Sequence, residues 1–230
     1  MRDKKSDLAG PGISTYEKVD EILPRNYASL LGRKRTQQAI YDVKEYIEKG
    51  LARELNLMLV QVPLIVEVAS GMNDMLDRDG SRTPVEFECG LGIDEPIRAS
   101  IVQAATKWKR WALQQFECEV GEGINTDMRA VRKDYFLDHD HSSYVDQWDW
   151  EQVITADDRT LDYLTAVVKK IWKVITGAEK MVMEKYPELQ DPRFPPLPEE
   201  LTFMHAEEIL AKYPDLPRKE RETKIIEEYG

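Results

Sequence analysis

Tyr144-Val145-Asp146-Gln147-Trp148-Asp149-Trp150-Glu151 sorts its side chains by turns. A β-strand sends successive side chains to opposite faces. Val145, Gln147, Asp149 and Glu151 therefore share one face, and Tyr144, Asp146, Trp148 and Trp150 the other. The first face is polar and the second aromatic. A strand over residues 142–154 with Gln, Asp and Glu in line is either exposed to solvent or the floor of a polar pocket. The tryptophans on its reverse suit a core better than ligand stacking.

Working outward, residues 121–132 read as a turn followed by a second strand, joined to the first by a charged loop over 133–141. On the C-terminal side Leu161, Leu164, Val168, Ile171, Ile175 and Val182 recur at helical spacing and predict a long helix from about Asp158 to Tyr186. Residues 187–198 hold five prolines and predict an extended connector, followed by a short strand at 201–205 and helices near 207–212 and 218–229. Toward the N-terminus, Ile40, Val43, Ile47 and Leu51 mark an amphipathic helix within 26–57. The Leu/Val-rich stretch 57–69 contains Pro63, which confines it to an edge strand, a strand end or a bulge. Residues 70–84 carry turn formers and charges and read as a loop. Short strands are expected at 85–89 and 97–102, and a helix between Gln103 and Phe116. That helix carries Lys107, Lys109 and Arg110 in its first half, where the macrodipole opposes them, so an anion is expected close by. Residues 1–25 are polar and Gly-Pro-punctuated, and one α+β domain over 26–230 accounts for the rest.

Composition narrows the function. The chain has 230 residues and 43 acidic against 32 basic side chains, a net charge of −11, and a pI near 4.9. Such a charge works against a sequence-independent grip on nucleic acid or anionic lipid. The longest apolar stretch, 57–69, is interrupted by Gln61, Pro63 and Glu67 and is too short to cross a bilayer. No apolar leader follows the charged start, and Cys89 and Cys118 make no disulfide framework, which fits a reducing cytoplasm. Walker, GxGxxG and GxSxG motifs are absent, so a nucleotide site would be of another kind.

Several polar residues carry two readings. An Arg at 132 on one strand, across from Gln147 and Asp149 on the next and near Lys109, suits a phosphate or carboxylate for the cations and an ammonium for Asp149. Ordinary strand polarity with surface ion pairs stands beside that reading. Asp74, in Gly71-Met72-Asn73-Asp74, has the makings of a turn as well as of a catalytic group. His139 and His141 flank Asp140 without a third ligand at helical spacing, so a solvated loop is expected rather than a metal site. His205 is expected to be a hydrogen-bonded structural residue.

Taken together, the Tyr144–Glu151 stretch, Gln61-Val62-Pro63-Leu64-Ile65, Ser70-Gly71-Met72-Asn73-Asp74, Lys107-Trp108-Lys109-Arg110, Gly121-Glu122-Gly123 with Thr126, Met128, Ala130 and Arg132, and the tail 203–216 stand in one order and spacing. That order resembles the ammonia-dependent, type A asparagine synthetases (aspartate-ammonia ligases), from about residue 35 onward. The resemblance implies an α+β fold of the class II aminoacyl-tRNA synthetase type, an antiparallel sheet flanked by helices. It implies that ATP adenylates the side chain of L-aspartate, releasing pyrophosphate, and that ammonia then displaces AMP to give L-asparagine, with Mg2+ accompanying ATP. By position it implies Arg132 on the nucleotide α-phosphate and the reacting carboxylate, Ser142 beside the nucleotide, and Lys109 on a substrate carboxylate. It further places Gln147 and Asp149 on the aspartate and Asp74 near the reacting amide. The helix leading to Pro63 would form a homodimer interface.

Two departures qualify the match. The family usually reads His-Ser-Leu-Ala before Lys107, whereas this chain has Gln103-Ala104-Ala105-Thr106, so a hydroxyl expected to touch aspartate is missing at Ala104. One neutral hydrogen bond is worth about 0.5–1.5 kcal/mol. The family also continues into further strands carrying a motif 3 arginine, so the resemblance implies a fold incomplete at the C-terminus. A catalytically inactive paralogue acting as a binding or interaction module is the alternative. A tRNA-charging enzyme is disfavoured by the acidic charge.

Overall fold

The hydrophobic stripe Ala39, Ile47, Leu51 and Leu55 is buried along one side of helix α1 (Gly32–Leu55), in a computed structural model that describes residues 28–76, 82–90, 94–133 and 141–229. Asn56 ends the helix in the left-handed region, at φ +54°, and its N–H bonds the Ala52 carbonyl. This turn delivers the chain directly into strand β1 (Leu57–Val60). Pro63 lies in the gap before β2 (Ile65–Glu67), so the proline-bearing stretch is two strand pieces with the proline at a strand end. Strands β3 (Glu86–Cys89) and β4 (Ile97–Ile101) follow. Then come helix α2 (Thr106–Gln115), the nine-residue strands β5 (Gly123–Val131) and β6 (Tyr144–Gln152), and helix α3 (Leu161–Lys185). Thr160 caps α3 by accepting the Tyr163 N–H at 3.2 Å, and Lys185 in its last turn complements the helix dipole.

The strands form two three-stranded sheets, β1-β5-β6 and β2-β4-β3. The expected antiparallel pairing holds for β5 with β6 and for β4 with both of its neighbours, but β1 runs parallel to β5. The crossover between them, through the second sheet and α2, is what makes a parallel pairing possible. Gly121 and Gly123 serve that junction differently. Gly121 has φ +89°, whereas Gly123 lies so close to β6 that a Cβ would meet the Glu151 carbonyl and, at 2.9 Å, the Gln152 Cα.

The two faces of the β1-β5-β6 sheet pack differently. Behind it, Ile47, Leu51, Leu55, Leu57, Val174 and Ala178 form one cluster, with Trp148 and Trp150 against it. The aromatic face thus lies on α1 and α3, as the alternation in the sequence predicts. In front, Met128 and Ala130 of β5 pack with Val102, Ala105 and Trp108 around the start of α2.

After α3 the proline-rich connector runs along that helix. Trp172 Nε1 donates to the Pro198 carbonyl at 3.0 Å, and the Glu179 carboxylate accepts the Leu197 N–H at 3.1 Å. The strand expected at 201–205 does not form, because among the described residues no sheet edge pairs with this stretch. Helices α4 (Ala206–Lys212) and α5 (Arg218–Tyr229) follow, and Glu208 accepts the His205 N–H at 3.3 Å, which places His205 at a helix start. Residues 1–25, expected to be a separate N-terminal segment, lie outside the described residues, as do His139 and Asp140. Among the described residues no helix is long and apolar enough to cross a membrane.

Candidate active site

Strands β5 and β6 pair Met128 with Gln147, Thr126 with Asp149 and Ile124 with Glu151. This register fixes the polar face of β6 toward α2. Lys109, one turn into α2, is only 1% exposed, and its Nζ is ion-paired with Asp149 Oδ1. Thr126, itself fully buried, holds the strand beneath the pair by donating Oγ1 to the Asp149 carbonyl at 2.8 Å. Burying an ammonium is tolerable only with a close counter-ion. Here the counter-ion comes from β6, whose residue pattern puts Asp149 and Glu151 in a row on one face.

Glu151 continues that row. Its burial pushes the carboxyl above the usual carboxylate range, against the pull of Lys109 and Arg110, and the nearby Asp149 and Asp74 push it the same way. Arg110 Nε stands 3.9 Å from Glu151 Oε1. The anions that the misplaced helix cations call for are therefore the protein's own carboxylates: Asp149 for Lys109 and Glu151 for Arg110. Lys107 instead donates its Nζ to the Gly71 and Asn73 carbonyls, both at 3.3 Å.

Asp74 belongs to the same assembly. Ala105 occupies the N-cap of α2 and has no side chain with which to cap it. The missing acceptor arrives from the loop after β2: Asp74 Oδ2 accepts the Thr106 N–H at 2.7 Å and the Lys107 N–H at 3.4 Å. A carboxylate at a helix N-terminus satisfies free amides and meets the positive end of the dipole. Asp74 thus caps a different segment rather than closing a turn of its own. That contact leaves the carboxylate within the electrostatic field of Glu151.

Arg132 sits at the other end of this face. It follows β5, donates its N–H to the Ser143 carbonyl at 2.6 Å, and gives Nη1 to the Gln103 carbonyl. Along β6 it therefore stands opposite Ser143 rather than directly across from Gln147 and Asp149. At about 3.4 Å of rise per residue, the strip from Ser143 to Asp149 is about 20 Å long. Ser142, exposed, accepts the Tyr144 N–H at 3.3 Å beside Arg132, and Gln147 is exposed midway along the strip. The structure thus brings Lys109, Asp149 and Asp74 together at one end, with Arg132 and Ser142 at the other. His141 is exposed, and among the described residues no three His, Cys, Asp or Glu side chains converge on a cation site.

Two residues escaped the sequence. Gln103 is 3% exposed, and its Oε1 is buried with no hydrogen-bond partner. Asn73 bonds both strand β4 and the Gln103 backbone. Neither has a local signal, since their partners lie about thirty residues away.

A protein-family model described as aspartate-ammonia ligase matches residues 34–230. The aspartate–ammonia ligase of Clostridium perfringens strain 13 is 42% identical over 209 residues, covering 91% of this chain and 60% of that protein. That of Bacteroides fragilis strain ATCC 25285 is 43% identical over 210 residues, covering 91% of this chain and 58% of that protein. The chain thus spans about three-fifths of the length of these relatives. Among solved structures, Entamoeba histolytica asparaginyl-tRNA synthetase in complex with asparaginyl-adenylate shares the fold, with a TM-score of 0.52 and 12% identity over 93% of this chain and 48% of that one.

Proposed function

The chain belongs to the aspartate-ammonia ligase family, and we propose that the protein makes L-asparagine from L-aspartate, ammonia and ATP through a β-aspartyl-adenylate, releasing AMP and pyrophosphate. The observation that carries this reading is the Lys109–Asp149 pair on the front of the sheet. An α-amino acid brings one carboxylate and one ammonium side by side. A buried Lys beside a partly exposed Asp, 28% accessible at its side chain, offers the matching cation and anion. The zwitterion replaces the internal pair with two external ones, Lys109 to carboxylate and Asp149 to ammonium, while Gln147 adds a neutral contact. A substrate seated there extends its side-chain carboxylate along the strip toward Arg132.

In the first step a β-carboxylate oxygen attacks the α-phosphorus of ATP, and the bond to the β-phosphate oxygen breaks as pyrophosphate leaves. Arg132 is proposed to neutralise charge gathering on the α-phosphate and the reacting carboxylate, with Ser142 beside the nucleotide. Its seat on the Gln103 carbonyl orients the guanidinium before the ligand arrives. In the second step ammonia attacks the acyl carbon, the carbon–oxygen bond to AMP breaks, and the nitrogen sheds a proton. Asp74 is proposed to position the ammonium and accept that proton. Mg2+ belongs to this reading as the companion of ATP. The described residues form no acidic cage for it, and the ion would accompany the phosphates.

The same reading places residues 26–230 within a class II synthetase-like catalytic domain and the protein in the cytoplasm, and makes its working form a homodimer. Exposed Met58, Leu59, Leu64 and Ile65 next to α1 support the dimer. The test is AMP release that needs both L-aspartate and ammonium, measured on the protein expressed from its whole gene. Arg132→Ala is expected to slow it by about 10²–10³-fold, the cost of losing one preorganised electrostatic group. If no AMP forms while L-aspartate still binds, the protein is the inactive binding module instead.

A further inference from the structure

Every polar atom of the Asn73 side chain is committed. Oδ1 accepts the Gln103 N–H at 2.8 Å, and Nδ2 donates to the Ile101 carbonyl at 2.9 Å and to Ser100 Oγ at 3.2 Å. One planar amide thus ties the end of β4 to the segment that leads into α2. The next residue extends the tie, because the Asp74 N–H donates to the Ala104 carbonyl at 3.3 Å. The chain is therefore pinned at the Gln103 N–H by Asn73 and at the Ala104 carbonyl by Asp74. Between those two points lies the Gln103 carbonyl, which accepts Nη1 of Arg132. Peptide units are rigid planes joined by two soft torsions. Fixing the units on either side therefore fixes where this carbonyl points.

We propose that Asn73 is a positioning residue that aims Arg132 by way of the Gln103 backbone. The proposal deepens the ligase reading and rests on Arg132 serving the nucleotide end of the site. Asn73 does no chemistry itself. It holds a neutral peptide so that its carbonyl seats one guanidinium nitrogen and leaves the fork in a single orientation. Asp74 acts in the other direction, on the helix that carries Lys109. Adjacent residues of one loop thus serve opposite ends of the strip, and damage to Asn73 has a distinct signature: it falls more heavily on the nucleotide than on the amino acid, whose α-carboxylate and ammonium are held at the other end.

The experiment compares wild type, Asn73→Ala and Asn73→Asp at a temperature where each is folded. Asp at position 73 keeps the acceptor for the Gln103 N–H and loses both donors. The direct readout is guanidinium proton exchange at Arg132 in protein labelled with 15N-arginine, its signal assigned by its loss in Arg132→Lys. Loss of one ordering hydrogen bond is expected to speed that exchange about tenfold in Asn73→Ala, while Asn73→Asp stays within about threefold of wild type. Calorimetry should show ATP binding about tenfold weaker in Asn73→Ala and L-aspartate binding within about twofold of wild type. Unchanged Arg132 exchange in Asn73→Ala overturns the proposal. So does equal damage in both variants, or equal loss of ATP and aspartate affinity. If Asn73→Ala does not fold, Asn73→Ser takes its place, with the same tenfold change expected and the same unchanged exchange overturning the proposal. If wild type binds no ATP, the ligase reading fails and the exchange data still judge Asn73.

Discussion

The two faces of strand β6 solve opposite problems with alternate residues of one sequence. Behind the sheet, Trp148 and Trp150 lie on α1 and α3, and what they contribute is apolar burial, which is tolerant of small shifts. In front, Asp149 and Glu151 face α2 across a buried Lys109, and what they contribute is charge held in place at a cost in desolvation. The back face can be repacked without changing what the protein binds. On the proposed reading the front face cannot, because its ion pair is the one that an amino acid replaces. Stability and recognition are therefore separable on a single strand, residue by residue.

The strongest way to break this contrast is Asp149→Ala. It strands an ammonium with 1% exposure, and removing one partner of such a pair costs about 3–5 kcal/mol. Denaturant unfolding should show that loss together with the disappearance of aspartate binding. Lys109→Met should cost less, because the side chain of Asp149 still reaches water. The double variant Lys109→Met/Asp149→Leu sharpens the point: it should regain most of the stability and none of the binding. If the double variant is no more stable than Asp149→Ala, the pair does not carry its charges at a cost in desolvation.

The back face should answer differently. Val174, 3% exposed, packs in the rear cluster against the α1 backbone, where a Cβ on Gly50 would come within 2.6 Å of its Cγ1. Val174→Ala removes two carbons and leaves a small cavity, a loss of about 2 kcal/mol. Aspartate affinity of the folded variant should stay within about twofold of wild type. A larger change in affinity would mean that the two faces are coupled through the sheet.

What the sequence revealed follows the same division. Helical spacing in 40–51 and 161–182 locates α1 and α3, although Ile40, Leu161 and Leu164 of those stripes are exposed while Ala39, Val174 and Ala178 are buried, and the period of two in 144–151 assigns each face of β6. Lys107, Lys109 and Arg110 against the dipole of α2 foretell nearby anions, since electrostatic misplacement is also local. The Asp74 contact with Thr106 and Lys107 is not legible, because Ala105 gives α2 no capping signal of its own. Nor is the seat of Arg132 on Gln103, which is a backbone carbonyl and carries no residue-specific mark. The parallel pairing of β1 with β5 and the unpaired stretch 201–205 fail for a related reason: a strand's pattern shows its faces but not its neighbours.

The smallest expected effect lies where the two principles meet, at Glu151. Its carboxyl titrates above the ordinary range because burial outweighs Lys109 and Arg110. A folded-state pKa raised above the unfolded value means that the folded protein binds this proton more tightly. Its stabilising contribution is thus complete below about pH 4.3, where the unfolded chain is protonated too, and is lost as pH rises through the folded pKa. At neutral pH the ionised Glu151 is a burden. Glu151→Gln keeps the shape and discards the charge, so its melting temperature at pH 7 should exceed wild type by about 1–3 °C, with the difference closing at pH 4. A variant less stable than wild type at pH 7 would show that the 3.9 Å approach of Arg110 outweighs desolvation. The front face would then be stabilised by its charges instead of carrying them at a cost.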